Sequence, residues 1–225
     1  MTISHPEFGG VSNRFVTDDV GYNPEGNQAA ATQSRAFRHL RHDGVMHLLT
    51  TGNYYGRPGT TNWIAFLARY QSGDITARYG VEVTPSTQDL PADRFFIGKL
   101  SGAGVVWGLA ASNGAAATSS VVATNNETAL LVAELIHDAD NTSARLWVNP
   151  MITPAPPAPD ALLNNIPAII FDKMAMVAQK QGGTVPIISL DELRFGETWE
   201  SVTTGIPEPA MFVLVLLALP ATRRR

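Results

Sequence analysis

Eight consecutive residues, Trp63-Ile64-Ala65-Phe66-Leu67-Ala68-Arg69-Tyr70, are apolar at nearly every position. Alternate residues of a strand face opposite sides, so such a run presents apolar surface on both. It suits a central strand of a sheet that is covered on each face, and it is a poor fit to a strand with one wet face. Whatever fold this chain adopts must supply partners on both sides of that run.

The neighbouring segments supply strands rather than helices. Arg78–Val83 alternates, and Arg94–Leu100 and Val105–Leu109 flank Ser101-Gly102-Ala103-Gly104, which reads as a hairpin turn. Ser119–Thr124 is β-branched, Ala129–Ile136 is a second buried run, and Ala144–Val148 follows across His137–Ser143. Arg35–His42 fits a strand or a helix that stacks Phe37, Leu40 and His47, with the strand preferred. Residues 1–34 read as loop with one edge strand near Arg14–Val16. Pro150, Pro154, Pro156, Pro157, Pro159 and Pro167 resemble a linker in composition. Ala168–Val177 and Pro186–Phe195 resume the β pattern after them, so a long surface excursion within one domain is expected. About ten short strands without a convincing helix predict an all-β, two-sheet sandwich.

Composition agrees and narrows the partners. Hydrophobic residues make up 44 % and charged residues 16 %, with 19 Gly and 15 Pro, which favours a turn-rich β protein with a packed core. The chain has no cysteine, so disulfides and thiolate metal sites are excluded. The segment from Ile206 onward holds three arginines and one glutamate, a charge of +2 that leaves the remainder at −6 against the total of −4. An acidic body without Lys/Arg clusters argues against a nucleic-acid partner.

Two clusters invite chemistry. Asp138, Asp140 and Asn141 place oxygen ligands close together and could hold Ca2+. Asp, Asn and Ser also make ordinary turns, the preferred reading between two strands. His39, His42 and His47 could bind zinc, although exposed polar residues on a half-buried strand account for them. The adjacent acids Asp191 and Glu192 would point to opposite faces of a regular strand and could not flank one glycosidic bond. Alternation sets Leu190, Glu192 and Arg194 on one face and Asp191, Leu193 and Phe195 on the other. It lets Glu192 pair with Arg194 and Trp199 close the end of the sandwich. No catalytic residue and no cofactor is assigned.

The C-terminus has a fixed order of three pieces: Pro207-Glu208-Pro209, the apolar run Ala210–Leu219, and Arg223-Arg224-Arg225. Ten apolar residues fall short of the roughly 20 that span a bilayer as a helix. The alternative is a buried terminal strand or helix, against which the arginine triplet stands, since terminal cations hold a tail on the cytoplasmic side. The order resembles the PEP-CTERM sorting signal of bacterial exported proteins. The opening Met1–Gly10 has neither a basic nor an apolar leader region, so an export tail here implies a missing N-terminal piece.

The body carries a resemblance as well. Asn62–Leu67, Phe96–Lys99, Leu131–Glu134, Leu146–Pro150 and Leu190–Val202 occur in an order similar to LamG-type, concanavalin A-like jelly-roll proteins with PEP-CTERM tails in planctomycetes and related bacteria. The resemblance implies a LamG-like sandwich over residues 1–204, incomplete at its N-terminus, and a sorting signal over 205–225. It implies that Pro207, Glu208 and Pro209 are read by an exosortase-type membrane enzyme, with Arg223, Arg224 and Arg225 completing the signal. Export to the cell surface or extracellular matrix, with transient membrane contact through the tail, follows. So does a non-catalytic sandwich that binds polysaccharide or surface glycans. The alternatives are a glycoside hydrolase or lyase on the same fold, and a purely structural component of extracellular polymer.

Overall fold

The computed structural model describes residues 2–3, 33–40, 48–50, 52–72, 76–85, 94–101, 104–179 and 187–204. Among them lie twelve strands and one short helix. The strands are β1 (Thr2–Ile3), β2 (Gln33–His39), β3 (Thr60–Ser72), β4 (Arg78–Thr84), β5 (Phe95–Lys99) and β6 (Val106–Ala111). They continue as β7 (Ala116–Val122), β8 (Thr128–His137), β9 (Asn141–Val148), β10 (Ala161–Pro167), β11 (Lys173–Gln179) and β12 (Ile187–Gly196), and the helix is α1 (Trp199–Thr203). They build two six-stranded sheets, ordered β1-β12-β3-β8-β9-β10 and β2-β11-β4-β5-β6-β7. Every pairing is antiparallel except β1 with β12. This is the expected all-β jelly-roll sandwich.

The central strand is β3, held between β12 and β8. Ile64, Phe66, Ala68 and Tyr70 face the core between the sheets, with Val81, Ile97, Leu109, Leu131, Leu146 and Met176. Trp63 and Ala65 face outward into a second cluster with Leu130, Val132, Trp147, Trp199 and Val202. The doubly apolar run therefore has two separate covers: the facing sheet on one side, and α1 with the proline-rich segment on the other. Thr198 caps α1 by accepting from the Ser201 N–H at 3.1 Å, and Ser201 returns the favour by accepting from Thr198 N–H at 3.2 Å.

The proline-rich segment is an excursion pinned to the first sheet. The Trp147 indole N–H donates to Pro157 O and that of Trp199 to Thr153 O, each at 2.8 Å. Asp160 accepts from Val148 N–H at 2.7 Å. The excursion ends in β10, an edge strand the sequence pattern conceals. Asn165 has φ 53° where the β9 pairing shifts, and Pro167 sits at the strand end. An edge position needs no ladder N–H from proline. Residues Ala168–Ile170, expected as strand, are irregular, and β11 begins only at Lys173.

Strict alternation fails in β12. Its register against β3 shifts between Asp191 and Arg194, and Glu192 takes φ 51°. This bulge resets the phase, so Ile188, Leu190, Leu193 and Phe195 all pack on the inner core. Leu190 and Leu193 were expected on opposite faces; the inserted residue puts them on the same one.

In the second sheet Gly80, Gly98 and Gly108 stand side by side across β4, β5 and β6. A Cβ on Gly80 would lie 2.2 Å from Ile97 O, and one on Gly98 2.4 Å from Tyr79 O. The strands approach too closely there for any side chain. Phe96 packs beside Gly98, and the Arg78 guanidinium lies over its ring at 3.8 Å from the centroid.

Candidate functional site

The aromatic residues that a sugar-binding face would use are mostly interior. Trp63 and Trp147 stack at 5.3 Å between centroids, and Trp199 meets both edge-on at 5.6 Å. Trp107 and Tyr55 are buried in the main core and Tyr54 is half-buried. The tryptophans thus hold α1 and the proline-rich excursion to the sheet.

Beside the tryptophan cluster, on the same outer face, Glu134 of β8 is paired across the ladder with Arg145 of β9 at 2.9 Å. Burial raises the Glu134 carboxyl above its usual range, and the charge and hydrogen bond of Arg145 pull it back. On the outer face of the second sheet, Glu82 lies between Arg78 at 3.6 Å and Arg94 at 3.8 Å. Glu192, in the bulge, pairs with Arg194 at 2.8 Å, as expected along the strand, and Arg194 also donates to Thr204 O beyond α1. Each of these carboxylates is neutralised by a guanidinium that also ties two segments together.

One polar network is internal, and sequence reasoning missed it. His137 is 1 % exposed, with Nε2 3.0 Å from Asn62 Oδ1 and Nδ1 3.3 Å from Thr142 Oγ1. Thr142 Oγ1 accepts the Ile169 N–H at 3.0 Å. The consistent assignment has Nε2–H donating to Asn62 and the Thr142 hydroxyl donating to Nδ1, which satisfies the neutral ring completely. Burial pushes His137 down to about 4, against a smaller opposing pull from Asp138. The available signal was alternation: Asn62 is in phase with Ile64 and Phe66, and His137 with Leu135 and Ala133. Both were polar at core positions.

Asp138, Asp140 and Asn141 lie in the tight β8–β9 turn, all exposed, with Asp138 N–H donating to Asn141 O at 2.8 Å. Among the described residues, no group of three or more His, Cys, Asp or Glu comes together that could hold a metal ion. The backbone of Gln33–His39 is strand, as preferred; His42, His47 and the segment near Arg14–Val16 lie outside the described residues. So do Pro207, Glu208, Pro209, Arg223, Arg224 and Arg225. Among the described residues, no helix is long and apolar enough to cross a membrane.

No family model matches the chain. No curated protein matches it either. Solved structures similar to it include a bifunctional GH43-CE protein of Bacteroides eggerthii and the GH43 BlXynB protein of Bacillus licheniformis. Each has a TM-score of 0.38 and 9 % identity. The similarity covers 73 % and 74 % of this chain but only 21 % and 33 % of theirs, so the chain spans a third or less of those proteins. At that level the likeness says nothing about what this chain binds or does; the two-sheet sandwich rests on its own strand pairings.

Proposed function

We propose that this chain is an exported, non-catalytic β-sandwich, sorted by its C-terminal signal to the cell surface or extracellular matrix, where it binds polysaccharide or surface glycans. One observation carries the reading. Among the described residues the last strand ends at Gly196 and α1 at Thr203, and in the sequence the order Pro207-Glu208-Pro209, apolar run, arginine triplet follows. A sorting signal read by an exosortase-type enzyme needs that arrangement, with the signal placed after a body that has its own core. The membrane contact of the tail is then transient. A non-catalytic role is supported by the arginine partners of Glu82 and Glu192, because a carboxylate held ionised by a guanidinium is a poor general acid.

The test fuses a bacterial export leader to Met1 and expresses the chain in a bacterium that carries an exosortase-type enzyme. The expected product is at the cell surface with a mass lacking the tail, and Glu208→Ala leaves the tail in place. An uncleaved wild-type chain held in the cytoplasm would overturn the sorting reading. A glycan array probed with and without calcium tests the ligand class, and a blank array removes carbohydrate. Release of sugar from a polysaccharide panel, abolished by one carboxylate substitution, would make the chain an enzyme instead.

A further inference from the structure

The four outer strands of the two sheets differ in how they are guarded. β1 is two residues long, β2 carries Arg35 and Arg38 in its sequence, and β10 is interrupted at Asn165 and closed by Pro167. Short length, charge, bulges and proline are the ordinary means by which an edge is kept from pairing with another chain. β7 is different. It has seven residues, Ala-Ala-Thr-Ser-Ser-Val-Val, without charge or proline. No charged residue occurs anywhere between Lys99 and Glu127, a stretch that contains the whole β6–β7 hairpin. The rest of the body is acidic, so this is the surface over which two copies approach with least repulsion.

The geometry also suits pairing. β6 bonds one side of β7, and among the described residues no strand bonds the other; β10 of the facing sheet packs against β7 without joining its ladder. Ala116, Thr118, Ser120 and Val122 are exposed, and Val122 is one of three large apolar residues that are among the described residues. Thr118 stands opposite Gly108 and Ala116 opposite Ala110, so the outer face beside this edge is flat. The far half is guarded: Ser119 Oγ takes the Val121 N–H at 3.2 Å, where the register against β6 shifts. That leaves the half nearest the Ser112–Gly114 turn available.

We propose that β7 pairs antiparallel with β7 of a second copy, centred on Ala116–Thr118, and joins the two second sheets across a two-fold axis. Among the described residues each copy has one such edge, and an isologous contact of this kind uses it up, so the product is a closed dimer. Main-chain bonds supply the affinity, and the small, neutral side chains let the strands meet without like charges opposed.

Sedimentation of the full chain across the micromolar range tests this. A monomer–dimer equilibrium is expected. Thr118→Lys with Ser120→Lys is expected to weaken dimerisation at least tenfold and leave the thermal midpoint of the dilute monomer unchanged, because both side chains are exposed. The chain has no cysteine, so thiols report position: Ala116→Cys mixed with Thr118→Cys should give the mixed cross-link on mild oxidation, because the two positions face each other across the axis, and Leu162→Cys on β10 should not cross-link. A monomer at every concentration overturns the proposal. So does association that survives the lysine pair, which would place the contact elsewhere, the apolar tail included. Open-ended oligomers would overturn the closed two-fold pair.

Discussion

Leu190 and Leu193, three residues apart on one strand, both face the core between the sheets. Glu192 makes this possible by taking φ 51° as the extra residue of a bulge. Deleting Glu192 removes the extra residue and leaves plain alternation with Leu190, Leu193 and Phe195 still facing inward. The deletion loses the Glu192–Arg194 pair and the left-handed backbone but no core side chain, so it should change stability by no more than about 1 kcal/mol in urea unfolding. Glu192→Gly relieves the left-handed backbone but removes the Arg194 pair, and the two effects should cancel to within about 1 kcal/mol. A deletion variant destabilised by several kcal/mol would show that the bulge does more than set the phase.

His137 predicts a pH dependence with a definite sign. Its native value lies near 4 against 6.5 when unperturbed, so between those values the unfolded chain holds a proton that the native ring refuses. Stability therefore falls as pH drops from about 6.5 towards 4, by up to about 3 kcal/mol at 1.36 kcal/mol per unit. Glu134, raised in the native state, acts with the opposite sign: its contribution is full at low pH and is lost as pH rises through its native value. Comparing wild type with His137→Leu at each pH isolates the histidine. The variant's profile should be flatter across this window, and an unchanged slope would refute the assignment.

Gly98 should tolerate no side chain. A Cβ there meets Tyr79 O at 2.4 Å and Gly80 Cα at 2.8 Å, both backbone atoms that cannot swing away. Gly98→Ala must push β4 from β5, at a cost of about 2–4 kcal/mol by analogy with overpacking and backbone strain. Gly114→Ala meets nothing within 4 Å but is held at φ 91°, so it should cost only about 1 kcal/mol. Thermal midpoints of the two variants separate crowding from backbone preference.

Trp199 joins α1, the proline-rich excursion and the outer face of the first sheet. Trp199→Ala should cost about 3–5 kcal/mol and open residues 150–160 to proteolysis. Trp199→Phe keeps much of the packing but strands Thr153 O, at about 1–2 kcal/mol. Equal cleavage of the excursion in wild type and Trp199→Ala would show that the indole does not hold it.

Local pattern carried much of this fold. The doubly apolar Trp63–Tyr70 run foretold a central strand with two covers, and the Ser101–Gly104 turn foretold the β5–β6 hairpin. Pattern failed where a residue's role depends on partners distant in sequence. β10 was concealed because edge strands admit proline and asparagine and need little apolar alternation. The β12 bulge was invisible because a glutamate at positive φ has no signature of its own, and only the register against β3 reveals it. His137, Asn62 and Thr142 lie on three strands, and no spacing links them.

By itself the sequence determined the all-β class, the buried central strand and the Pro-Glu-Pro, apolar, arginine order of the last twenty residues, because alternation and segment order are properties of the chain read locally. Only the tertiary structure decided that the tryptophans are mortar rather than a sugar platform, that the partly buried glutamates are held by arginines, and that the Ala116–Thr118 half of β7 is an unguarded edge. Those facts depend on which surfaces meet, and that is set by packing between strands far apart in the chain.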